Sequence, residues 1–404
     1  MAVAPSAAGK QHLIDPEICI RCNTCEETCP IDAVTHNDDN YVVDPLKCNH
    51  CMECISPCPT GAIDNWRVII DPYSLDDQYT WDELPEQEEL TAELANADES
   101  VAIESLEEEI DLLLREAHSA TGGRSIAPTS ASKPSINLFN RSRPARAVVQ
   151  GNFRLTDETS DSDVRHIILD LGDHVFPVLE GQSVGIVPPG TTPAGQPNAV
   201  RLYSIASPRD GERANTNNIS LTVKREPKGQ CSNYLCDLQR GSVVELTGPF
   251  GATFLMPQDP RANIIMICTG TGSAPFRGFT MRRQRTTPDA DGHLLLYFGA
   301  RSPQTLPYFG PLKRVPKQLM TQRLVYSRIP GQPKSYVQDQ LIADGDLLAP
   351  YLCNSNTHIY VCGLKGMEQG VDHAIATICG KSNLDWATLR QHMRDVGRYH
   401  VETY

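Results

Sequence analysis

The stretch "CIRCNTCEETCP", Cys19 to Pro30, returns in altered form as "CNHCMECISPCP", Cys48 to Pro59. Both copies are spaced C-x2-C-x2-C-x3-C-P, so eight cysteines form one pattern used twice. Disulfides, zinc and iron-sulfur clusters all use grouped cysteines. Cysteines three apart are badly placed to bridge one another, and the opening "MAVAPSAAGKQHLID" has no apolar run of secretory length. Zinc knuckles pair C-x2-C units at longer separations. Three close thiolates and a distant fourth suit a 4Fe-4S cube, the fourth cysteine of each run serving the other run's cluster. The ligands are then crossed: Cys19, Cys22, Cys25 and Cys58 around one cluster, Cys48, Cys51, Cys54 and Cys29 around the other. A proline after each fourth cysteine turns the chain away from the cube.

This is the run of bacterial two-cluster ferredoxins, and it predicts a small α+β ferredoxin domain over residues 1–70. Apolar pieces such as "AVTHNDDNYVVD" (Ala33 to Asp44) supply a strand-turn-strand cover for a core made mostly of cluster. A chain of 404 residues has room for two to four domains. No run of 18 apolar residues occurs, so the expectation is a soluble, cytoplasmic protein with no membrane partner. Six of the 14 cysteines lie outside the two runs and read as reduced, mostly buried thiols.

Charge marks the joints. Residues 1–70 carry 4 Lys and Arg against 10 Asp and Glu, residues 71–118 carry 1 against 17, and residues 119–404 carry 31 against 23. The acidic front would repel phosphate, which argues against a nucleic-acid role. Opposite net charges favour docking of the front on the back. Residues 71–145 read as a connector. In "ESVAIESLEEEIDLLLREAH" (Glu99 to His118) the residues Ile103, Leu106, Ile110, Leu113 and Leu114 recur at helical spacing, predicting a short amphipathic helix. The following "TGGRSIAPTSASKPS" (Thr121 to Ser135) has little to bury and predicts a flexible linker.

From residue 146 to 256 short strands alternate with turn signals: "DVRHIILDL", "SVGIVPP", "RLYSIAS", "NISLTVKRE" and "SVVELTGPFG". Even spacing of this kind predicts an antiparallel barrel. Over residues 257–404 apolar strands ("NIIMICTG", "HLLLYFGA", "RLVYSRI", "HIYVCG") alternate with helical patterns, which implies βαβ units and a parallel α/β sheet. The turn "CTGTGSAPFRG" (Cys268 to Gly278) follows a strand and opens a helix, an arrangement that favours an anion. On its own it is a weak signal, because the full dinucleotide glycine spacing is missing.

In order, "RLYS" (Arg201 to Ser204), "VKREPKGQCSNYLCDL" (Val223 to Leu238), "GPFG" (Gly248 to Gly251), "GTGSAPFRGF" (Gly270 to Phe279), "YSRIPGQPKSYVQDQL" (Tyr326 to Leu341), "YVCGLKGME" (Tyr360 to Glu368) and "YHVETY" (Tyr399 to Tyr404) resemble the plant-type ferredoxin-NADP+ reductase family over residues 145–404. The resemblance implies an FAD-binding barrel followed by an NADP-binding α/β domain. By that resemblance Arg201 neutralises the FAD pyrophosphate, Tyr203 packs on the flavin ring, and Ser204 places a hydroxyl near flavin N5. Gly229, Cys231 and Ser232 match a second FAD segment, although Cys231 reads equally as a structural thiol. Gly270, Thr271, Gly272 and Ala274 match the nucleotide pyrophosphate cradle. Ser327, Arg328, Lys334 and Tyr336 offer the cationic and hydroxyl groups a 2'-phosphate needs, and Gln338 matches the adenine side. An NAD site would favour a carboxylate there; none stands at these positions, so the nucleotide expected is NADPH. Cys362 matches the nicotinamide edge, Glu402 the acidic residue beside hydride transfer, and Tyr404 the ring stacked on the flavin.

NADPH gives two electrons at once and a 4Fe-4S cluster takes one, so FAD between them converts pairs to singles. The sequence has no Glu-x-x-His pair of the di-iron carboxylate kind and no heme-ligand motif, so the terminal chemistry belongs to another protein. As a whole, the order ferredoxin domain, acidic connector, reductase resembles the reductase components of aerobic benzoyl-CoA oxygenases (epoxidases). That resemblance implies a separate di-iron oxygenase as electron acceptor in aerobic benzoate degradation. Two other readings stay open: a fused ferredoxin-NADP+ reductase serving other acceptors, and a noncatalytic electron-relay subunit.

Overall fold

A computed structural model describes residues 9–49, 53–55, 57–63, 65–69, 71–85, 110, 113, 126–191 and 198–404. Its first body is a pair of two-stranded antiparallel sheets. Strand β1 (Gly9–Leu13) pairs with β4 (Asn65–Ile69), and β2 (Val34–His36) pairs with β3 (Tyr41–Val43), the strand-turn-strand expected from "AVTHNDDNYVVD". Helix α1 (Thr24–Thr28) precedes β2 and packs against it. The core is short: Ile14, Val34, Val43, Ala62 and Ile63 pack with Cys25 and Cys54. His12 of β1 stacks on Trp66 of β4 with ring centroids 3.9 Å apart, and its Nε2 bonds the Ile63 carbonyl. Helix α2 (Leu75–Tyr79), started by a Ser74–Asp77 capping box, folds back on this body. Gln78 of α2 accepts from Val43 N–H and donates to its carbonyl.

The barrel follows as β5 (Ala145–Arg154), β6 (Val164–Asp170), β7 (Ser183–Ile186), β8 (Arg201–Ser204), β9 (Asn218–Lys224), helix α3 (Gln230–Asp237) and β10 (Val243–Phe250). The spatial order is β8-β7-β10-β5-β6-β9, every pair antiparallel. A bridge from Ile205, just after β8, to Leu221 of β9 brings the two edges together. Period-two alternation is clean in β5, where Ala145, Ala147 and Val149 are buried and Arg146 and Val148 exposed.

The last body runs β11 (Asn263–Thr269), α4 (Ala274–Thr286), β12 (Leu294–Ala300), α5 (Phe309–Lys313), β13 (Met320–Tyr326), α6 (Val337–Ala343), α7 (Gly345–Cys353), β14 (Thr357–Gly363), α8 (Met367–Lys381), α9 (Trp386–Asp395) and β15 (Tyr399–Thr403). Its sheet is wholly parallel in the order β13-β12-β11-β14-β15, with apolar layers on both faces. The helical stretch "SYVQDQLIADGDLL" forms two helices, α6 and α7, broken at Asp344. That carboxylate is held by Tyr297 (3.0 Å) and Arg323 (2.6 Å), a contact between strands and helix junction that fixes the chain direction there.

Composition alone predicts nothing to hold residues 121–135, yet the described part is bonded to the barrel and to the segment that follows it. Ser130 O accepts from Gln258 N–H, Ser132 Oγ from Arg209, and Ser135 O from Gln182 Nε2. Backbone and small hydroxyl groups do the holding, and hydrophobicity does not register them. Of the predicted connector helix, Ile110 and Leu113 are helical; its other residues lie outside those described.

The front body meets the barrel where Asn215 Nδ2 donates to Glu53 Oε1 at 3.1 Å. A cavity of 350 Å³ opens there, lined by Trp66 and Arg67 on one side and Arg209, Arg282 and Arg285 on the other.

Candidate functional site

The C-terminal ends of all five parallel strands open into one cavity of 1070 Å³. Thr269 ends β11, Gly299 and Ala300 end β12, Ser327 follows β13, Leu364 follows β14, and Glu402 and Thr403 end β15. The strand order reverses between β11 and β14, the switch point at which open α/β sheets take their ligands. The barrel forms the facing wall with Arg201–Ser204 of β8, Thr222 and Lys224 of β9, Val164 of β6 and Ser183 of β7. Leu113 of the connector also touches this space.

Between β11 and α4 the chain makes a 3-10 turn, Gly270–Ser273. Gly270 is left-handed at φ +55°, with open space where a side chain would stand. Gly272 has the opposite reason to be glycine. A Cβ there would lie 2.2 Å from the Cys362 carbonyl oxygen, so the turn could not rest against β14. The cavity thus meets the positive end of a 13-residue helix.

Of the residues singled out from sequence, Arg201, Tyr203, Ser204, Ser232, Gly270, Thr271, Ala274, Ser327, Tyr336, Gln338, Glu402 and Tyr404 line the cavity. Gly229, Cys231, Gly272 and Cys362 stand behind that lining. Cys231 is buried in the barrel core against Tyr203, with burial pushing both groups' pKa values up. Cys362 lies across β14 from Glu402 in the β15 register. Arg328 and Lys334 are exposed; Arg328 N–H donates to the Arg301 carbonyl at 2.8 Å. Tyr404 reaches across the cavity, its hydroxyl 2.7 Å from Thr271 Oγ1.

Arg201, Lys224, Arg301 and Lys365 line the space against the carboxylates Glu226 and Glu402, so the walls favour anions. Loss of water around Glu402 pushes its carboxyl up to about 8. Thr222, Lys224, Arg301 and Lys365 were not singled out from sequence. The first two could have been, because alternation along "NISLTVKRE" sets Thr222, Lys224 and Glu226 on one side.

In the front body, burial pushes the Cys25 thiol up to about 12, helped by neighbouring Cys58 and Cys19. Cys58 of the second run is thus an electrostatic neighbour of Cys25 in the first. Cys22 is exposed and accepts a 3.2 Å bond from Thr24 Oγ1, which lowers its pKa. Cys29 Sγ accepts from Ala33 N–H at 3.2 Å, and Cys54 Sγ lies 4.0 Å from His12 Nδ1. Cys51 lies outside the described residues. All thirteen described cysteines are free thiols. Among the described residues no three His, Cys, Asp or Glu side chains converge as around one ion. Thiols set around a cube stand further apart than those of a zinc sphere, where each sulfur is about 2.3 Å from the metal. The donor set and its bonds to sulfur fit iron-sulfur ligation.

Three family matches tile the chain: a 4Fe-4S dicluster domain over residues 11–68, an oxidoreductase FAD-binding domain over 153–254, and an oxidoreductase NAD-binding domain over 266–373. Ferredoxin-NADP reductase of a Spirulina species is 37% identical over 288 residues, covering 67% of this chain and 98% of that protein. The enzyme of Thermosynechococcus vestitus is 38% identical over 67% of this chain and 75% of its own length, and a rice chloroplast leaf isozyme is 34% identical over 72% and 88%. The solved structure of a mutant ferredoxin-NADP+ reductase from Plasmodium falciparum aligns at TM-score 0.53 and 25% identity, over 67% of this chain and 99% of that one. A barrel facing the strand ends of a parallel nucleotide-binding sheet defines an NADPH-dependent flavoprotein oxidoreductase. The chain belongs to the ferredoxin-NADP reductase family, with a 4Fe-4S dicluster domain fused in front of the reductase. Among the described residues no helix is long and apolar enough to cross a membrane.

Proposed function

We propose that this protein carries electrons from NADPH through FAD and two 4Fe-4S clusters to a separate di-iron oxygenase, the benzoyl-CoA epoxidase of aerobic benzoate degradation, in the cytoplasm. The observation that carries this reading is the fusion itself. The relatives are named for ferredoxin as partner, and here a dicluster module stands in the same chain, so the useful outlet lies beyond it. At the cluster side, Cys22 and the apolar residues Ile18, Ile20 and Leu46 are exposed, a surface suited to handing electrons to another protein. The acceptor's identity rests on the resemblance of the whole domain order. Mixing the NADPH-reduced protein with the di-iron oxygenase and benzoyl-CoA tests it: oxygen uptake and epoxide formation are expected, and no transfer would leave the fused reductase with another acceptor.

Bound FAD supplies the chemistry that accepts a hydride and passes electrons on singly. The chain's own groups do the rest. Arg201 brings a guanidinium fork to a pyrophosphate. Tyr203 and Tyr404 would offer aromatic faces to the flavin, and Ser204 a hydroxyl. Thr271 holds the Tyr404 ring in place, so that ring has to swing aside before nicotinamide can stack. The helix start at Gly270–Ala274 would hold the nucleotide pyrophosphate. Ser327, Arg328, Lys334 and Tyr336 would hold the 2'-phosphate, and Gln338 would face the adenine. Cys19, Cys22, Cys25 and Cys58 would hold one cluster, and Cys48, Cys51, Cys54 and Cys29 the other.

Arg328→Ala is expected to weaken NADPH binding by about 1.5 to 3 kcal/mol, the range for a hydrogen bond to a charged group, and to leave NADH use nearly unchanged. Equal losses with both nucleotides, measured by titration, would remove Arg328 from 2'-phosphate recognition.

Helix α4 starts at the cofactor cavity and ends, through Arg282, Arg285 and Thr286, at the contact with the front body. At 1.5 Å per residue its length separates the two by roughly 20 Å. Opposite net charges would favour a docking position that brings a cluster toward the flavin edge. The cluster phase of reduction is expected to slow as salt rises, while NADPH-to-flavin transfer varies weakly. Stopped-flow spectra across a salt series separate the phases; a cluster phase indifferent to salt rules out charge-guided docking.

A further inference from the structure

One segment of the nucleotide domain, Arg301 to Tyr308, is bonded to one edge of the barrel at three depths. At the surface Arg301 makes a two-pronged ion pair with Asp161, at 3.0 and 2.9 Å. Further in, Asp157 N–H donates to the Gln304 carbonyl at 2.9 Å. At the bottom Tyr308, only 6% exposed, puts its hydroxyl among barrel side chains, 2.5 Å from Thr222 Oγ1 and 3.0 Å from His166 Nδ1.

Tyr308 stands in a left-handed backbone conformation, φ +60°, costly for a bulky side chain and kept only where the surroundings fix it. Those surroundings cross the domain boundary. His166 Nε2 faces Glu212 Oε1 at 3.3 Å. Arg277 of α4 binds the Glu212 carboxylate with both terminal nitrogens, donates to the Ala206 carbonyl at 2.9 Å, and lies 5.2 Å from the centre of the Tyr308 ring. Arg285 of α4 bonds Asp210 and the Gly211 and Glu212 carbonyls.

Thr222 also lines the cofactor cavity, as do Arg301 and Thr305 from the same segment. One wall of that cavity is therefore joined to the other through the Tyr308 hydroxyl. We propose that Tyr308 is a positioning residue for hydride transfer: its buried hydroxyl sets the angle between barrel and nucleotide domain, and so the alignment of the nicotinamide half-site with the flavin half-site. It touches neither the 2'-phosphate residues nor the pyrophosphate turn. The proposal rests on the NADPH and FAD reading above.

Tyr308→Phe in the full-length holoprotein removes one oxygen and keeps the ring. Three quantities are compared with wild type: FAD content, affinity for 2'-phospho-AMP as a probe of the adenosine end, and the single-turnover rate of flavin reduction by NADPH. The first two are expected within twofold and the third lower by about 10- to 100-fold, the scale of a small misalignment. The absorption band that NADP+ induces on stacking against flavin is expected to weaken. His166→Leu, which removes another partner of the same hydroxyl and does not line the cavity, is expected to show the same split. A reduction rate within twofold of wild type in both variants overturns the proposal, as does a parallel loss of FAD, 2'-phospho-AMP binding and rate. A wild-type protein that neither holds FAD nor oxidises NADPH would instead defeat the functional reading.

Discussion

Glu402→Gln is expected to slow NADPH-dependent flavin reduction by about 100- to 1000-fold at pH 9, the usual cost of deleting one preorganised electrostatic group. Hydride leaving a dihydronicotinamide ring leaves positive charge behind, and an ionised Glu402 at the end of β15 would stabilise it. The sign with pH follows from the raised pKa. Below about 8 the carboxyl is mostly protonated and gives little help; above it, the carboxylate is present. The wild-type rate should climb as pH rises through about 8 and then level off. The glutamine variant keeps the shape and cannot ionise, so its profile should be flat over the same range. Rapid-mixing measurements from pH 6 to 10 decide the matter, and a variant with the wild-type slope would assign the titration to another group.

Cys22→Ser acts at the other end of the route. It is expected to remove roughly half of the iron and labile sulfide, one cluster of two, to leave reduction of FAD by NADPH intact, and to bring acceptor reduction down to background. Cys22 is the exposed cysteine among the four proposed for its cluster, and the Thr24 hydroxyl donates to its sulfur, so serine there would offer a poorer ligand without disturbing the buried core. Iron analysis after anaerobic preparation, with stopped-flow traces at flavin and cluster wavelengths, separates the effects. Zinc in place of iron would discard the cluster assignment altogether.

The cysteine centres and both large folds were legible in the sequence for different reasons. Cysteine spacing is local in sequence, so a 4Fe-4S dicluster domain could be read from two short strings. The barrel and the parallel sheet announce themselves through period and loop length, and those survive any detail of packing. The cofactor cavity was legible where a motif sits at a strand end, as with Arg201 to Ser204, Gly270 to Ala274 and Glu402. It was not legible where its wall depends on residues distant in sequence. Arg301 and Asp161 are 140 positions apart, and Tyr308 and Thr222 are 86 apart; nothing local in either segment advertises the partner. The break at Asp344 and the seating of residues 126–135 went unread for the same reason, since each is fixed by polar contacts made only after the chain has folded.

The stack of His12 on Trp66 has an optical consequence. The chain has three tryptophans. Trp66 and Trp81 belong to the front body, Trp66 one imidazole away from Cys54, and Trp386 is buried in the nucleotide domain, its indole N–H on Asp372. The barrel has none. Iron and sulfur absorb across the emission range, so light from the front pair is quenched while clusters are seated and returns when they are lost, whereas Trp386 reports only on the sheet it packs against. Emission intensity and emission wavelength therefore follow two different ends of one polypeptide, without a label on either.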